Sequence, residues 1–229
     1  MQALAEEISK PTEPTTLLDI GCGTGGYSIP LKRKFSLHVT GIDTSREMLN
    51  LAQEKEHDAD WINADFLDWS SPSHFDIILM IYVLHLVNSW RLAIRKAVRT
   101  LSRDGVILLV TEDHVALRNS LVHKHMPRIL EIDLARFPEV QHVMDEFSSL
   151  KLSTTVRKIV TEHELRTSSD VEKFLHAVEA RYISTLQFLH DDELKNGVAL
   201  MRHTLINQIK AGPIKRTREK SLVIAKHRF

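Results

Sequence analysis

An acidic residue and several glycines lie close together at positions 19–26, where an apolar segment of the chain ends. Asp19 comes two residues before Gly21, and further glycines follow at positions 23, 25 and 26. Glycine permits a tight turn from a strand into a helix, and its missing side chain lets main-chain N–H groups approach a ligand. The pattern predicts a binding site for a nucleotide-type cofactor.

Two cofactor classes are compatible with the glycine spacing. Gly21, Gly23 and Gly26 satisfy G-x-G-x-x-G, in which the diphosphate of a dinucleotide sits on a helix N-terminus. Asp43 lies near the distance expected for a ribose-binding acid, which would indicate an NAD(P)-dependent oxidoreductase. The carboxylate of Asp19 argues against a diphosphate, because negative groups a few ångströms apart repel strongly outside bulk water. A cationic or zwitterionic ligand fits this position better.

The same residues resemble the first motif of the class I S-adenosylmethionine-dependent methyltransferases, which is an acid, a variable residue and then G-x-G-x-G. Asp19, Gly21, Gly23 and Gly25 match this motif in order. The resemblance implies S-adenosylmethionine as the cofactor. It also implies an α/β fold with a Rossmann-like, seven-stranded, mostly parallel sheet, an antiparallel last strand and flanking helices. The implied reaction is in-line transfer of a methyl group to a small-molecule acceptor, with release of S-adenosylhomocysteine.

The resemblance continues through the next two predicted strand endings. It implies that Asp43 binds both ribose hydroxyls through charge-assisted hydrogen bonds and that Met48 lies beneath the adenine. It also implies that Asp65 and Phe66 bind the adenine amino group and ring. The cofactor-binding residues that it implies are, in full, Asp19, Gly21, Cys22, Gly23, Thr24, Gly25, Asp43, Thr44, Met48, Asp65, Phe66 and Met80.

Two side chains after the fourth predicted strand are candidates for a catalytic role. Tyr82 and His85 follow this strand, at a position that borders the methyl group in the family. His85 is the first choice for a general base, which oxygen acceptors of high pKa need, whereas amines, thiols and stabilised carbanions do not. The alternative is that both side chains line the cofactor pocket without a chemical role. His114, after the fifth strand, is a further candidate.

Apolar periodicity and turn residues predict the elements that hold these groups. A helix over 44–54 begins with Ser45 as its N-cap, and a turn at 101–105 precedes a buried strand over 106–110. The other predicted strands cover 17–20, 39–43, 61–66, 75–80, 152–163 and 221–226. The other predicted helices cover 89–101 and 138–149, with two or three more between 168 and 208.

Two helical segments, 113–137 and 167–213, are predicted insertions in a single methyltransferase domain that covers residues 1–229. Such insertions lie near the carboxyl ends of the strands, where open α/β sheets bind ligands. We expect them to form a lid over the acceptor, with Arg181 and Tyr182 as candidate contacts. The alternative is that these helices only cover the sheet or form a dimer contact.

The balance of charge argues against a polyanionic partner. Lysine plus arginine equals aspartate plus glutamate at 30 each, so no overall field would attract nucleic acid or an anionic membrane. The basic residues between 215 and 220 are interpreted as a solvated turn. No apolar run approaches the length of a membrane span, and segment 1–16 lacks a signal-peptide core. We expect a cytoplasmic monomer or homodimer that acts on a small molecule.

Cysteine and histidine give little sign of other chemistry. The single cysteine, Cys22, excludes an internal disulfide and is predicted to be a packing residue, because no base is evident beside it. His123 and His125 are two positions apart, which is a weak metal signal without nearby cysteine. No metal is predicted.

Three other function classes are alternatives to a small-molecule methyltransferase. An oxidoreductase is supported only by the glycine spacing and Asp43. An amino-methylating nucleic-acid enzyme would carry an Asn/Asp-Pro-Pro-aromatic loop after the fourth strand, where this chain has Met80-Ile81-Tyr82-Val83. A non-catalytic cofactor-binding module stays open, because retained cofactor residues indicate binding and not turnover.

Overall fold

Seven strands and ten α-helices make up the part of the chain that the computed structural model describes, which is residues 1–8, 15–71 and 73–228. Residues 9–14 of the N-terminal segment considered above lie outside it. The strands are β1 (Thr16–Ile20), β2 (His38–Asp43), β3 (Asp60–Asn63), β4 (Phe75–Ile81), β5 (Leu101–Thr111), β6 (Leu152–Leu165) and β7 (Ile214–His227). The helices are α1 (Gln2–Glu7), α2 (Ser28–Phe35), α3 (Arg46–Lys55), α4 (Trp90–Thr100), α5 (His114–Asn119), α6 (Leu121–His125), α7 (Pro127–Arg136), α8 (Val140–Ser149), α9 (Ser168–Glu179) and α10 (Asp191–Ile209), with a 3-10 helix at Ser184–Phe188.

The strands form one sheet in the order β3-β2-β1-β4-β5-β7-β6. The pairs β1–β2, β2–β3, β1–β4 and β4–β5 are parallel, and β7 runs antiparallel to β5. This confirms the predicted seven-stranded, mostly parallel sheet with an antiparallel last strand. Because β1, β2 and β3 are parallel neighbours, the loops that follow them lie at one edge of the sheet.

Strand β4 shows why the centre of the sheet is apolar on both sides. Its residues Ile77 and Leu79 belong to one buried cluster, while Ile78 and Met80 belong to another. Successive side chains of a strand point to opposite faces, so a central strand with both faces covered is a continuous apolar run.

The chain divides into two compact units. The first contains Met1–Thr111, Pro138–Ile159 and Ser221–Phe229, and the second contains Glu112–Phe137 and Val160–Lys220. The second unit has its own core of buried leucine, valine, isoleucine, methionine and phenylalanine side chains. It includes both predicted insertions, 113–137 and 167–213, and their role as a lid stays a prediction.

Strand β5 begins earlier than predicted. The sequence indicated a turn at 101–105, but Leu101 already pairs with Phe75, and the register shifts before Ile77 pairs with Val106. The extra residues are accommodated as an irregularity inside the strand, as in a β-bulge. A Cβ atom on Gly105 would lie 3.0 Å from the main-chain oxygen of Asp76, so the turn glycine serves a close backbone contact.

Strand β7 is also longer than predicted. The segment 221–226 was expected as a short strand because it is apolar, and the structure extends the strand back to Ile214. Residues 221–225 are buried, whereas most side chains over 214–220 are exposed or half-buried. The basic residues over 215–220 therefore belong to a strand, and the prediction of a solvated turn was wrong. Because these residues are charged, an apolar pattern does not indicate this part of the strand.

His123 belongs to a buried polar network in the second unit. Its Nε2 lies 2.8 Å from Oδ2 of Asp133, and Oδ1 of Asp133 accepts a hydrogen bond from the hydroxyl of Thr185. Arg136 donates to the same hydroxyl at 2.8 Å. Burying polar groups is costly unless they are hydrogen-bonded, and this network largely meets that requirement. Within the described residues no group of three potential metal ligands occurs, and no helix there is both long and apolar enough to cross a membrane.

Candidate active site

The glycine loop connects β1 to α2 and is attached to β2. The main-chain nitrogens of Gly21 and Cys22 both donate to the carbonyl oxygen of Ile42, at 2.8 and 3.1 Å. Gly21, Gly23 and Gly25 all have positive φ angles, of 71°, 53° and 70°. Such angles strain other residues but not glycine, so this chain path requires the motif that the sequence shows.

The glycines of the loop differ in what surrounds them. A Cβ atom on Gly21 would lie 2.7 Å from a methyl carbon of Val83, and one on Gly25 would lie 2.5 Å from Ile29. A Cβ atom on Gly23 would meet nothing within 4 Å. Gly21 and Gly25 are therefore required for packing, while Gly23 leaves open space beside the backbone.

Trp61 packs against Gly41 and Gly25, a contact that the sequence pattern does not predict. Its ring would lie 2.4 Å from a Cβ atom on Gly41 and 3.0 Å from one on Gly25. The indole nitrogen donates to the carbonyl oxygen of Glu56 at 2.9 Å, which fixes the ring. The only sequence signal is that Trp61 and Gly41 occupy neighbouring parallel strands, and their pairing depends on the register of β2 and β3.

Gly41→Ala is expected to lower the free energy of unfolding by about 2 kcal/mol, because the new methyl group overlaps a fixed aromatic ring. Urea unfolding measures this cost. Gly26→Ala is the matched control, since its Cβ atom would meet nothing within 4 Å and its φ is not positive. In a Trp61→Leu background the cost of Gly41→Ala should fall by at least half. An equal cost in both backgrounds would contradict the contact.

Asp43 ends β2, and both of its carboxylate oxygens accept main-chain hydrogen bonds. Gly23 N donates to Oδ2 at 2.8 Å, and Ser45 N donates to Oδ1 at 2.9 Å. Ser45 is the N-cap of α3, and its hydroxyl accepts from Met48 N, as the sequence predicted. Each carboxylate oxygen retains capacity for a further donor. The acid is thus oriented between the glycine loop and the start of α3.

Asp19 is a buried acid at the carboxyl-terminal part of β1, with 3% of its surface exposed. Burial is the main reason that the pKa of its carboxyl is raised to about 7; Ser28 opposes this rise and the charge of Asp43 contributes to it. The Ser28 hydroxyl nevertheless has no partner that satisfies hydrogen-bond geometry. A buried carboxylate is unfavourable unless a cation or a hydrogen-bond donor lies close to it.

Cys22 lies beside these acids, and its thiol has low reactivity. Burial raises the pKa of its thiol, and the negative charges of Asp19 and Asp43 raise it further. A thiol that stays protonated is a poor nucleophile. Its surroundings therefore support the predicted packing role.

The predicted adenine-binding residues follow β3. Asp65 is half-buried, and its Oδ1 accepts a hydrogen bond from Leu67 N at 2.8 Å. Phe66 is buried and packs against Trp69, so its ring is part of the core and its main chain is what could meet a ligand. Asp43 ends β2 and Asp65 follows the neighbouring parallel strand β3, at the edge where β1 also ends.

The remaining predicted cofactor residues differ in exposure. Met48 is 45% exposed at the start of α3, which is unusual for a large apolar side chain. Thr44 is exposed, and Thr24 accepts a hydrogen bond from Lys55 through its carbonyl oxygen at 3.3 Å. Met80 is fully buried in the core, so its side chain has no surface to offer a cofactor. The contribution of each of these residues to cofactor binding stays a prediction.

The two candidate catalytic residues lie in and after the turn that ends β4. Tyr82 has a φ of 54°, a left-handed conformation that costs free energy in a bulky residue. Its main-chain nitrogen donates to Val110 O at 2.9 Å. Both Tyr82 and His85 are half-buried. Strained backbone of this kind concentrates at functional sites, which is consistent with the predicted position beside the reacting groups.

Arg181, a predicted substrate contact, and His114, a further catalytic candidate, have structural partners in the second unit. Arg181 donates to the carbonyl oxygens of Leu186 and Leu189 and pairs with Asp191 at 2.6 Å. Its guanidinium holds the 3-10 helix against its neighbours. His114 Nε2 lies 2.9 Å from the carbonyl oxygen of Phe137.

The sequence profile of a family described as "Methyltransferase domain" matches residues 17–105 of this chain. Trans-aconitate 2-methyltransferase of Rhodopseudomonas palustris (strain BisB18) is 30% identical over 104 residues, which are 45% of this chain and 41% of that protein. The chain spans less than half the length of the curated relatives it matches. The matched segment contains the glycine loop and all three strand-end acids.

Solved structures share the fold over nearly the whole chain. A protein of Anabaena variabilis ATCC 29413, assigned as a methyltransferase of an antibiotic biosynthesis pathway, superimposes with a TM-score of 0.80 at 20% identity, covering 98% of this chain and 95% of that one. The plantazolicin methyltransferase BpumL, solved with SAH, gives a TM-score of 0.61 at 16% identity, covering 95% of this chain and 77% of that one. These similarities show that residues 17–105 match the methyltransferase-domain family and that the chain shares the fold of these solved structures.

Proposed function

We propose that this protein transfers a methyl group from S-adenosylmethionine to a small-molecule acceptor. The observation that carries the proposal is the buried carboxyl of Asp19 beside the glycine loop. A carboxylate in this environment needs a cation or a hydrogen-bond donor, and a ligand with an ammonium and a sulfonium group supplies positive charge. A diphosphate would instead add negative charge beside Asp19 and Asp43, which already raise the pKa values of their neighbours.

The other residues at the carboxyl ends of β1, β2 and β3 fit the remaining parts of such a ligand. Gly23 leaves space for a ligand to approach the main chain, and Asp43 is held with lone pairs available for two hydroxyl groups. Exposed Met48 offers an apolar surface to a purine, and half-buried Asp65 offers an acceptor to an amino group. When bound, the cofactor supplies a methyl group on a sulfonium, and the neutral thioether that remains after transfer is a good leaving group. The protein's task is then mainly to hold the reactants in line, which can contribute roughly 7–11 kcal/mol.

The direct test is calorimetric titration of the full chain with S-adenosylhomocysteine and, separately, with NADH. We expect micromolar binding of the former and none of the latter. NADH binding without S-adenosylhomocysteine binding would favour the oxidoreductase and end the proposal. Release of S-adenosylhomocysteine during incubation with S-adenosylmethionine and a panel of small acceptors then separates an enzyme from a non-catalytic binding module.

Asp43→Asn is expected to weaken S-adenosylhomocysteine binding about tenfold, the effect of one lost charge-assisted hydrogen bond to the ribose. The substitution keeps the size of the side chain, so one oxygen still accepts from the loop or from Ser45. The affinity for 5′-methylthioadenosine, which keeps the ribose and lacks the amino acid, should fall by the same factor. Unchanged affinity for both ligands would contradict the ribose role.

We propose that the acceptor is a small molecule, and that neither a nucleic acid nor a membrane surface is the substrate. Relatives of this chain carry names of very different methyltransferases, among them trans-aconitate 2-methyltransferase and demethylmenaquinone methyltransferase. Their similarity to this chain covers less than half of it, so the matched segment supports a shared cofactor rather than a shared acceptor. We propose that the second unit selects the acceptor, because the whole of it lies outside the match over residues 17–105.

A further inference from the structure

The second unit contains an open pocket of about 370 Å³. Leu165, Phe174 and Ala177 give it apolar walls, and Tyr182 and Arg216 give it polar groups. Glu164, Asp170 and Lys173 complete its lining. All of these residues belong to the second unit, and none of them belongs to the glycine loop or is one of its acids.

Arg216 is the central feature of the pocket. Its guanidinium lies over the ring of Phe174, with its carbon atom 3.8 Å from the ring centroid. The side chain is half-buried, and burial lowers its pKa, with the nearby charge of Arg218 adding to the effect. Stacking on an aromatic face is a favourable arrangement for a guanidinium. It leaves the N–H donors at the rim of the ring available to a further partner.

The groups that influence the pKa of Arg216, besides its own burial, are Arg218 and the Tyr182 hydroxyl, which forms a side-chain hydrogen bond with it; no carboxylate of the described residues is among them. The hydroxyl of Tyr182 is the polar group that approaches it. A guanidinium removed partly from water and lacking a counter-ion is unfavourable unless another group satisfies it.

The two acids of the pocket are bound elsewhere. Glu164 pairs with Arg166 at 2.6 Å. Asp170 belongs to the capping box of α9, in which its carboxylate accepts from Thr167 N at 2.9 Å and from the Thr167 hydroxyl. These hydrogen bonds lower the pKa of Asp170. Neither carboxylate neutralises Arg216, and Lys173 adds a second positive charge to the same pocket.

We propose that this pocket binds an organic carboxylate with an aromatic or aliphatic body. The carboxylate would accept two parallel hydrogen bonds from Arg216, the arrangement that a guanidinium favours, and a third from the Tyr182 hydroxyl. The apolar body would lie against Leu165 and Ala177. Burial raises the pKa of Tyr182, so its hydroxyl remains a donor at neutral pH. The proposal concerns a site in the second unit and does not depend on methyl transfer.

The test is calorimetry on the full chain with three probes: 1-naphthoate, the uncharged 1-naphthamide, and inorganic phosphate. We expect 1-naphthoate to bind at least tenfold more tightly than either of the others, because only it combines the apolar body with the carboxylate. Arg216→Gln should weaken 1-naphthoate binding about 10- to 100-fold. Lys195→Gln, an exposed position of the same unit, makes the same change of charge and should leave binding unchanged.

Two further measurements make the result unambiguous. Naphthoate binding by the Asp43→Asn variant should equal that of the unmodified protein, which separates this site from the cofactor site. If Arg216→Gln does not fold, the comparison of 1-naphthoate with 1-naphthamide on the unmodified protein decides the matter. Equal affinities for those two probes, or an Arg216→Gln variant that binds 1-naphthoate normally, would overturn the proposal.

Discussion

Replacing Asp19 with asparagine is expected to weaken S-adenosylhomocysteine binding about 100-fold and to stabilise the free protein at pH 8. The loss of affinity follows from removing one partner of a desolvated charge pair, which typically costs 2–5 kcal/mol. The gain in stability follows because the carboxyl is 3% exposed and its pKa is raised to about 7. A site that binds a cation thus carries an energetic cost when it is empty.

The pH dependence of this stability has a definite sign. Asp19 has a pKa of about 7 in the folded protein, against 3.8 as its ordinary value, so the folded state holds the proton more tightly than the unfolded state. Protonated Asp19 therefore stabilises the folded state below about pH 4, relative to the ionised form. This stabilisation is lost as the pH rises to 7. The free energy of unfolding of the Asp19→Asn variant should exceed that of the unmodified protein by roughly 2–4 kcal/mol at pH 8 and by much less at pH 4.

Cofactor binding should show the opposite trend with pH. The ammonium group, which S-adenosylhomocysteine shares with the cofactor, favours ionised Asp19, so binding near pH 6 must displace a proton, and the affinity should rise until the pH passes 7. Asp19→Asn should remove this dependence. Calorimetry in buffers of different ionisation enthalpy measures the released proton, and urea unfolding at pH 4 and pH 8 measures the stability.

Asp58→Asn is the matched control for both measurements. Asp58 is 94% exposed and pairs with Lys32 at 2.8 Å, and exposed ion pairs contribute little. Neither the affinity nor the stability should change appreciably. An Asp19→Asn variant that is less stable at pH 8 and binds S-adenosylhomocysteine normally would show that Asp19 has a structural role only.

His85→Gln is expected to lower kcat about 100-fold on an oxygen acceptor while leaving S-adenosylhomocysteine affinity within about threefold of normal. The proposed role is a general base at the end of β4, and such residues typically contribute 10²–10⁴ to the rate. The assay follows S-adenosylhomocysteine release with whichever acceptor the panel identifies. Glutamine retains hydrogen-bonding capacity and cannot take the proton.

Tyr82→Phe provides the comparison, because it removes only the hydroxyl and keeps the ring of the neighbouring candidate. If His85 is the base, Tyr82→Phe should change kcat far less than His85→Gln does. If His85 only lines the cofactor pocket, its substitution should change S-adenosylhomocysteine affinity and leave kcat nearly intact. That second pattern would remove His85 from the chemistry.

The acids of the candidate site could be located from the sequence because each is tied to a local pattern. Asp19, Asp43 and Asp65 each occur where an apolar run ends, and parallel neighbouring strands bring such endings to one edge of the sheet. Ser45 could be identified as an N-cap because a short polar residue before a helix satisfies a free N–H group. These inferences depend on neighbours along the chain.

Contacts between distant segments could not be predicted in this way. The ring of Trp61 sets the need for glycine at position 41 only because β2 and β3 pair in one particular register. The irregularity before Val106 depends likewise on how β4 meets β5. The exposed part of β7 shows a charged pattern that, without knowledge of its partner strand, resembles a solvated turn.

The sequence by itself indicated the glycine loop, the acids at the strand ends and, through the resemblance to a known family, the class of fold, because motifs, turns, caps and hydrophobic periodicity are properties of a few adjacent residues. Only the tertiary structure decided that the Asp19 carboxyl is desolvated, that Arg216 stacks on Phe174, and that two segments separated in the chain form one unit with its own core. Solvent exclusion and the distances between charges depend on packing, and packing brings together residues that are far apart along the chain.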